Sequence, residues 1–76
     1  MKTITLDLHI INNISRFIQL AFQLPGKVTV KSGRHIVDGK SIMGIYSLNL
    51  SEPVVVDIED DDYSSKFIDE LKDIIL

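Results

Sequence analysis

Hydrophobic and polar residues alternate along the first part of the chain. From position 4 to position 10, every even residue is isoleucine or leucine, and every odd residue between them is polar. Side chains of a strand point alternately to its two faces, so this pattern predicts a strand over residues 2–10 with one buried face. Asp7 and His9 belong to the polar face of that strand.

A helical spacing replaces the alternation after Asn12-Asn13. Apolar residues then recur at intervals of three and four positions: Ile14, Phe17, Ile18, Ala21 and Phe22. This period predicts an amphipathic helix that begins at Ile14. Pro25-Gly26 ends the helix, because proline cannot continue the helical hydrogen-bond pattern.

Two short strands and a second helix are predicted next. The segment KVTVKS (27–32) predicts a strand with Val28 and Val30 inward, and RHIVD (34–38) predicts a third strand. Ser32-Gly33 supplies a tight turn that joins them into a hairpin, and Gly39 ends the third strand. The segment 41–50 predicts a short helix, and its residues available to the core are Ile42, Ile45 and Leu48.

A fourth strand and a last helix complete the chain. The segment PVVVDIE (53–59) predicts a strand with Val54, Val56 and Ile58 inward and with Val55 and Asp57 outward. Acidic residues 59–62 precede the last helix, where the positive end of the helix dipole favours them. The apolar stripe of that helix is predicted to contain Phe67, Ile68, Leu71, Ile74 and Ile75.

The predicted order is β-α-β-β-α-β-α. Every strand has one polar face, which favours an antiparallel sheet with helices on one side and the α+β class. A length of 76 residues predicts one domain spanning 1–76.

Composition excludes several classes of function. The formal net charge is −3 and no basic cluster exists, so direct nucleic-acid binding is not expected. The chain has no cysteine, which excludes disulfides and thiolate metal sites. No apolar run approaches the ~20 residues of a membrane helix, and no signal peptide is recognisable. We therefore expect no membrane association and a cytoplasmic location.

The histidines and the acidic run are the other candidates for chemistry. His9 and His35 could each act in acid/base catalysis or bind a metal, but the sequence favours an exposed strand histidine for each. No metal-ligand spacing accompanies them, so no metal site or cofactor is predicted. The acidic residues 59–62 lack the spaced ligands of an EF-hand, and a solvated helix start explains them.

Ser41 precedes the apolar turn of the second helix. Its hydroxyl can accept a hydrogen bond from a free amide of the first turn, as helix N-caps do. A phosphate at the same position would also be favoured, because free N–H groups and the helix dipole both attract an anion. Sequence physics alone favours the cap, and the two roles are compatible because one helix end can serve both.

The segment DGKSIMGIYSLNL (38–50) closely resembles the region around the regulatory serine of HPr, the small phosphocarrier of the bacterial sugar phosphotransferase system. The element order and length are similar to that family over the whole chain. The resemblance implies an HPr-like open-faced β-sandwich, with a four-stranded antiparallel sheet of order 1-4-2-3 and three helices on one face.

HPr proteins carry a phosphoryl group on a histidine at the start of the first helix, in a motif of histidine, any residue, arginine and proline. Within the resemblance, Ile14 takes the histidine position, Arg16 matches the arginine and Phe17 takes the proline position. Isoleucine has no lone pair to accept a phosphoryl group, and a phosphate ester on Ser15 would be a poor relay. We therefore expect no histidine phosphocarrier activity.

The catabolite-repression HPr-like proteins also lack the histidine and keep the serine. They are phosphorylated on that serine by HPr kinase/phosphorylase and bind a transcriptional repressor. The resemblance implies regulatory phosphorylation at Ser41 and partner binding through Ile42, Met43 and Tyr46, with Arg16 on the same face. Independently, adjacent Ile42 and Met43 cannot both point inward, which predicts an apolar patch beside a chargeable serine.

The resulting expectation is a non-enzymatic regulatory or adaptor protein of the phosphotransferase system in carbon catabolite control. Its expected partners are an HPr kinase/phosphorylase-like kinase and a transcriptional regulator or phosphotransferase-system proteins. One alternative is a divergent phosphocarrier that uses another residue. A second alternative is an HPr-fold binding module unrelated to sugar transport.

Overall fold

The computed structural model describes residues 2–59 and 62–76. Its strands and helices are β1 (Lys2–Leu6), α1 (Ile11–Phe22), β2 (Val28–Ser32), β3 (His35–Asp38), α2 (Ile42–Tyr46), β4 (Val54–Ile58) and α3 (Ser64–Glu70). A 3-10 helix at Lys72–Ile74 follows α3. The predicted order of strands and α-helices is confirmed.

The four strands form one antiparallel sheet in the order β1-β4-β2-β3. Its register aligns Ile4 with Val56, Val56 with Val30, and Val30 with Val37 across all four strands. Residues directly opposite each other have their side chains on the same face of the sheet, so these four residues form an apolar row across one face. The α+β class and the predicted sheet order are both confirmed.

The hydrophobic core lies between this apolar face and the helices. Its buried members from the sheet and the helices belong to one cluster, which includes Leu6, Val28, Val54, Ile58, Ile14, Phe17, Ala21, Ile45, Phe67 and Leu71. The rings of Phe17 and Phe67 meet edge to face, with centroids 5.9 Å apart, and so pack α1 against α3.

The opposite face of the sheet is mainly polar. Asp57 accepts a hydrogen bond of 2.8 Å from the hydroxyl of Thr3 and pairs with the ammonium of Lys31 at 2.7 Å. These contacts, with Lys31 as the larger cause, hold the pKa of Asp57 below its ordinary value. One carboxylate therefore links β4 to both of its neighbours on the face that carries no helix.

The first strand is shorter than predicted, and the first helix begins earlier. β1 ends at Leu6, opposite Val54, because Pro53 directly precedes β4 and the partner strand begins there. Leu8 is nevertheless fully buried, whereas Ile10, predicted on the buried face, is 49% exposed. The prediction that residues 7–10 continue the strand is therefore wrong.

The end of the chain does not form the single helix, with an apolar stripe up to Ile75, that the sequence predicts. α3 ends at Glu70, and residue 75 pairs with Leu6 as an isolated antiparallel bridge. The amide of Leu76 donates to the carbonyl of Thr5 at 2.9 Å. Ile74 is still buried, as predicted, but it reaches the core from the 3-10 turn. The acidic start predicted for this helix falls partly on residues 60 and 61, outside the described residues.

Candidate functional site

Ser41 is the N-cap of α2. Its backbone is extended (φ −100°, ψ 113°), and its Oγ accepts a hydrogen bond of 3.1 Å from the amide of Gly44. A side chain at Gly44 would bring a Cβ to 3.2 Å from both Ser41 Oγ and Val37 Cβ, so glycine leaves room for this contact. The predicted capping role is confirmed. The cap uses a lone pair of Oγ, and the hydroxyl proton remains a donor.

The turn before Ser41 is fixed by its own hydrogen bonds. The carbonyl of Asp38 accepts from the amide of Ser41 at 3.0 Å, and the carboxylate of Asp38 accepts from the amide of Lys40 at 2.9 Å. The ammonium of Lys40 donates to the carbonyl of Leu24, just beyond the end of α1. Ser41 is half-buried and is held at a defined position between β3 and α2.

The surface of α2 beside Ser41 is apolar and exposed. Ile42 is 53% exposed, Met43 85% and Tyr46 51%. The prediction that Ile42 reaches the core is wrong, because α2 has little more than one turn and only Ile45 and the following Leu48 are buried. Exposure of both Ile42 and Met43 agrees with the predicted apolar patch.

A shallow groove of about 330 Å³ separates α1 from α2. The residues that line it are Ser15, Ile18, Gln19, Phe22, Ile42 and Tyr46. Phe22 follows the helical period of the core residues, yet it is the last residue of α1 and is 56% exposed. The sequence pattern gave no sign that Phe22 borders a surface groove, since its spacing is that of a buried residue.

Arg16 lies away from this groove. Its two terminal nitrogens hold the carboxylate of Asp73 at 2.9 and 2.8 Å, and Nη2 also donates to the carbonyl of Glu70 at 2.8 Å. This bidentate pair, mainly through its hydrogen bonds, lowers the pKa of Asp73. The structure therefore brings Ile42 and Tyr46 together with α1 residues but places the guanidinium of Arg16 at the end of α3.

Replacement of Arg16 with methionine is expected to reduce the free energy of unfolding at neutral pH, because the link from α1 to Asp73 is lost. The pKa of Asp73 is lowered in the folded chain, so its contribution is present above the ordinary pKa and disappears as the pH falls through the folded value. Urea titrations of both proteins should therefore converge in acid. Arg16→Met combined with Asp73→Asn should match Arg16→Met alone if the pair is the cause.

The start of α1 differs from the sequence prediction in a way that affects the site. Ile10 is the N-cap, with an extended backbone (φ −98°, ψ 131°), and the helix begins at Ile11. Ile14 is the fourth helical residue and is only 4% exposed. A helix start at Ile14 is therefore wrong: Asn12 and Asn13, which interrupt the strand pattern, are already helical.

His9 occupies the loop immediately before this helix, and not a strand. Its ring Nδ1 contacts the carboxylate of Asp7, and its side chain is 53% exposed. The hydrogen bonds from the His9 side chain and amide lower the pKa of Asp7. His9 thus lies one residue before the N-cap of α1, where the sequence pattern had placed it on a strand face.

Among the described residues, the remaining candidates do not come together in one catalytic or metal-binding site. His35 is exposed at the first position of β3. Within residues 2–59 and 62–76, no three histidine, cysteine or carboxylate side chains are grouped as metal ligands. None of the helices in the described part of the chain is long and apolar enough to cross a membrane.

The described chain is a small antiparallel sheet with helices on one face, a capping serine and an exposed apolar helix surface, which is an α+β architecture of HPr-like topology. The protein-family model described as "PTS HPr component phosphorylation site" matches residues 4–75. Because this match covers nearly the whole chain, the chain belongs to the HPr family of the sugar phosphotransferase system. Neither the curated proteins nor the solved structures gave a match.

Proposed function

We propose that this HPr-family chain is a non-enzymatic regulatory or adaptor protein of carbon catabolite control in the cytoplasm, switched by phosphorylation at Ser41. The observation that carries this proposal is the placement of the Ser41 hydroxyl beside the exposed side chains of Ile42 and Met43. An HPr kinase/phosphorylase-like enzyme would transfer the phosphate from ATP. The partner that binds the phosphorylated form would be a transcriptional regulator or another phosphotransferase-system protein.

The chemistry of the switch follows from the cap. In phosphorylation, Ser41 Oγ attacks the γ-phosphorus of ATP, its proton passes to a base of the kinase, and ADP leaves. The product carries roughly −1.5 to −2 charge at neutral pH. That charge would lie beside the free amides of the first turn of α2 and at the edge of the apolar surface. A partner with basic groups at this edge is favoured, and one with acidic groups is repelled.

Ile42, Met43 and Tyr46, together with Phe22 across the groove, form the proposed docking surface. Large exposed apolar side chains beside a groove are the usual anchors of protein binding. We leave Arg16 out of this surface, because Asp73 and the Glu70 carbonyl already occupy both of its terminal nitrogens.

We also propose that Ile10, and not Ile14, stands at the phosphoacceptor position. The family's histidine lies at the start of the first helix, and in this chain α1 starts directly after Ile10. The motif then falls on Ile10, Asn12 and Asn13, none of which matches it. The conclusion that the usual acceptor is missing is unchanged, but the partial match at Arg16 is lost.

The proposal is tested by incubating the chain with an HPr kinase and ATP, with Ser41 variants as controls. The role of the docking surface has its own test.

Met43→Lys is expected to lower kcat/KM for phosphorylation of Ser41 about 10-fold, because a charge replaces an apolar anchor that is 85% exposed. Leu76→Lys, also at an exposed apolar residue, should leave kcat/KM unchanged. Equal rates for Met43→Lys and the wild type would remove Met43 from the surface.

A divergent phosphocarrier is the second candidate, and the position of His9 favours it. This histidine is exposed and lies next to the N-cap of α1. However, Asp7 already engages its Nδ1, so only Nε2 is left to accept a phosphoryl group, and the adjacent carboxylate repels an incoming phosphate. Phosphoenolpyruvate labelling distinguishes the two candidates. A chain labelled neither by the kinase nor through phosphoenolpyruvate would instead be an HPr-fold binding module.

A further inference from the structure

The two edges of the sheet differ in how they are covered. On β1, the amide of Asp7 donates to the carbonyl of residue 74 at 3.0 Å, and the amide of Leu76 donates to Thr5 at 2.9 Å, so the chain end covers part of that edge. β3 forms the opposite edge of the sheet. Within the described ranges, no segment pairs with the outer side of β3.

The hairpin determines which backbone groups of β3 point outward. Gly33 (φ 59°) is the first residue of a two-residue turn. In hairpins of this type the two residues that flank the turn, here Ser32 and His35, form a hydrogen-bonded pair. The amide of Gly39 donates to the carbonyl of Val28 at 2.7 Å, so the odd-numbered positions of this segment face β2. The amide and carbonyl of Ile36 therefore point to the free edge, as does the amide of Asp38.

The side chains along this edge have a self-complementary pattern. Ile36 is 65% exposed and pairs in register with Lys31, so it lies on the face of the sheet away from the helices. Arg34, the turn residue directly before β3, stands two residues before Ile36, and Asp38, the last residue of β3, stands two residues after it. Both are exposed, and Arg34 forms no ion pair within the residues that the structure describes.

We propose that two copies of this chain associate through β3, antiparallel and about a two-fold axis at Ile36. Antiparallel pairing requires opposite residues to share a face and to present their backbone groups to each other. Pairing Ile36 with Ile36 meets both conditions and places Arg34 of each copy opposite Asp38 of the other. The two sheets become one sheet of eight strands, with an apolar pair at its centre and an ion pair on each side.

The contact is small, so the association is weak and transient. An edge of four residues provides only a few backbone hydrogen bonds, and exposed ion pairs add little each. We expect a dissociation constant on the order of 1 mM or somewhat lower. Any extended segment could make the backbone bonds, but the charge order around Ile36 favours a second copy over an unrelated strand.

The experiment is a concentration series by two-dimensional amide NMR, from about 0.02 to about 2 mM, with sedimentation equilibrium on the same samples. Concentration-dependent shifts are expected at residues 34–38 together with a rise in mean mass. Ile36→Lys should abolish both changes, because it places two like charges at the axis. Ile11→Lys, at an isoleucine of matched exposure on α1, should keep them.

Charge reversal tests the partner and the register. Arg34→Glu should weaken association at least ~10-fold, because both symmetry-related ion pairs become repulsive. Asp38→Lys should do the same, and an equimolar mixture of these two variants should regain association, since each new charge then meets its opposite. Asp38→Lys also removes the bond to the Lys40 amide, so its fold is checked by its own spectrum. Constant shifts and mass up to 2 mM, shifts confined to the helices, or no effect of Ile36→Lys would overturn the proposal.

Discussion

Incubation with an HPr kinase and ATP is expected to add one phosphate to the chain, and Ser41→Ala is expected to take none. Ser41 Oγ is fixed by its bond to the Gly44 amide at the start of α2, next to the exposed surface that a kinase would contact. The effect is all-or-none, because removal of the hydroxyl removes the nucleophile. Mass spectrometry of the intact protein and of its peptides locates the phosphate.

Two variants distinguish loss of the phosphate-accepting hydroxyl from loss of the helix cap. Ser41→Ala also loses the cap, at about 1 kcal/mol of stability, so lost labelling could reflect a frayed α2. Ser41→Asn keeps a capping oxygen without a nucleophile, and it should fold normally and still take no phosphate. Ser47→Ala, at the other end of α2, removes an exposed hydroxyl that donates to the Gly44 carbonyl at 2.6 Å and should be labelled like the wild type. Phosphate on Ser41→Asn would show that another residue is the target.

Self-association through β3 would affect phosphorylation only if pairing changed the position of Ser41 through the turn at Asp38. Asp38 bonds to the amides of both Lys40 and Ser41, so a contact at the β3 edge lies one turn from the switch. Kinase assays are run far below the millimolar range, where an association with a dissociation constant of about 1 mM leaves the chain monomeric. The kinase result therefore tests Ser41 whether or not the edge pairs.

The strands were predictable because their pattern needs only local information. Val54, Val56 and Ile58 alternate with Val55 and Asp57, and a period of two assigns each residue to a face whatever the partner strand is. The position of Ser41 before an apolar turn likewise predicts a cap that the bond to Gly44 confirms. Both features depend on residues within a few positions of one another.

The features that the sequence did not reveal depend on distant partners. The role of Arg16 depends on Asp73, 57 positions along the chain, and no local pattern links the two. β1 ends where β4 begins, so its length could not be read from its own alternation. Leu6 is the last residue of β1 that pairs with β4, so the chain turns away early after it. Asn12 and Asn13 then enter the helix although asparagine disfavours helix interiors. This early turn is why α1 begins at Ile11, with Ile10 as its N-cap, and not at Ile14.

Incubation with the upstream phosphotransferase enzyme and labelled phosphoenolpyruvate is expected to leave no acid-labile, base-stable phosphate on the wild-type chain. Such lability identifies phosphohistidine, and an imidazole at the helix start would be needed to form it. Ile10 offers no lone pair, and Ile14 is buried in the core. Label that appears in the wild type and is lost in His9→Ala would instead establish the divergent phosphocarrier.

A pair of grafts decides which isoleucine stands at the acceptor position. Ile10→His with Asn12→Arg places an imidazole at the N-cap of α1, exposed and beside free amides that favour a phosphoryl group. This variant is expected to take label from phosphoenolpyruvate above the wild-type background. Ile14→His keeps the natural Arg16 but puts the imidazole where only 4% of the side chain is exposed. It should take no label and should unfold at lower urea, because burial leaves the ring nitrogens without water. Label on Ile14→His alone would restore the alignment that places the motif at Ile14, Arg16 and Phe17.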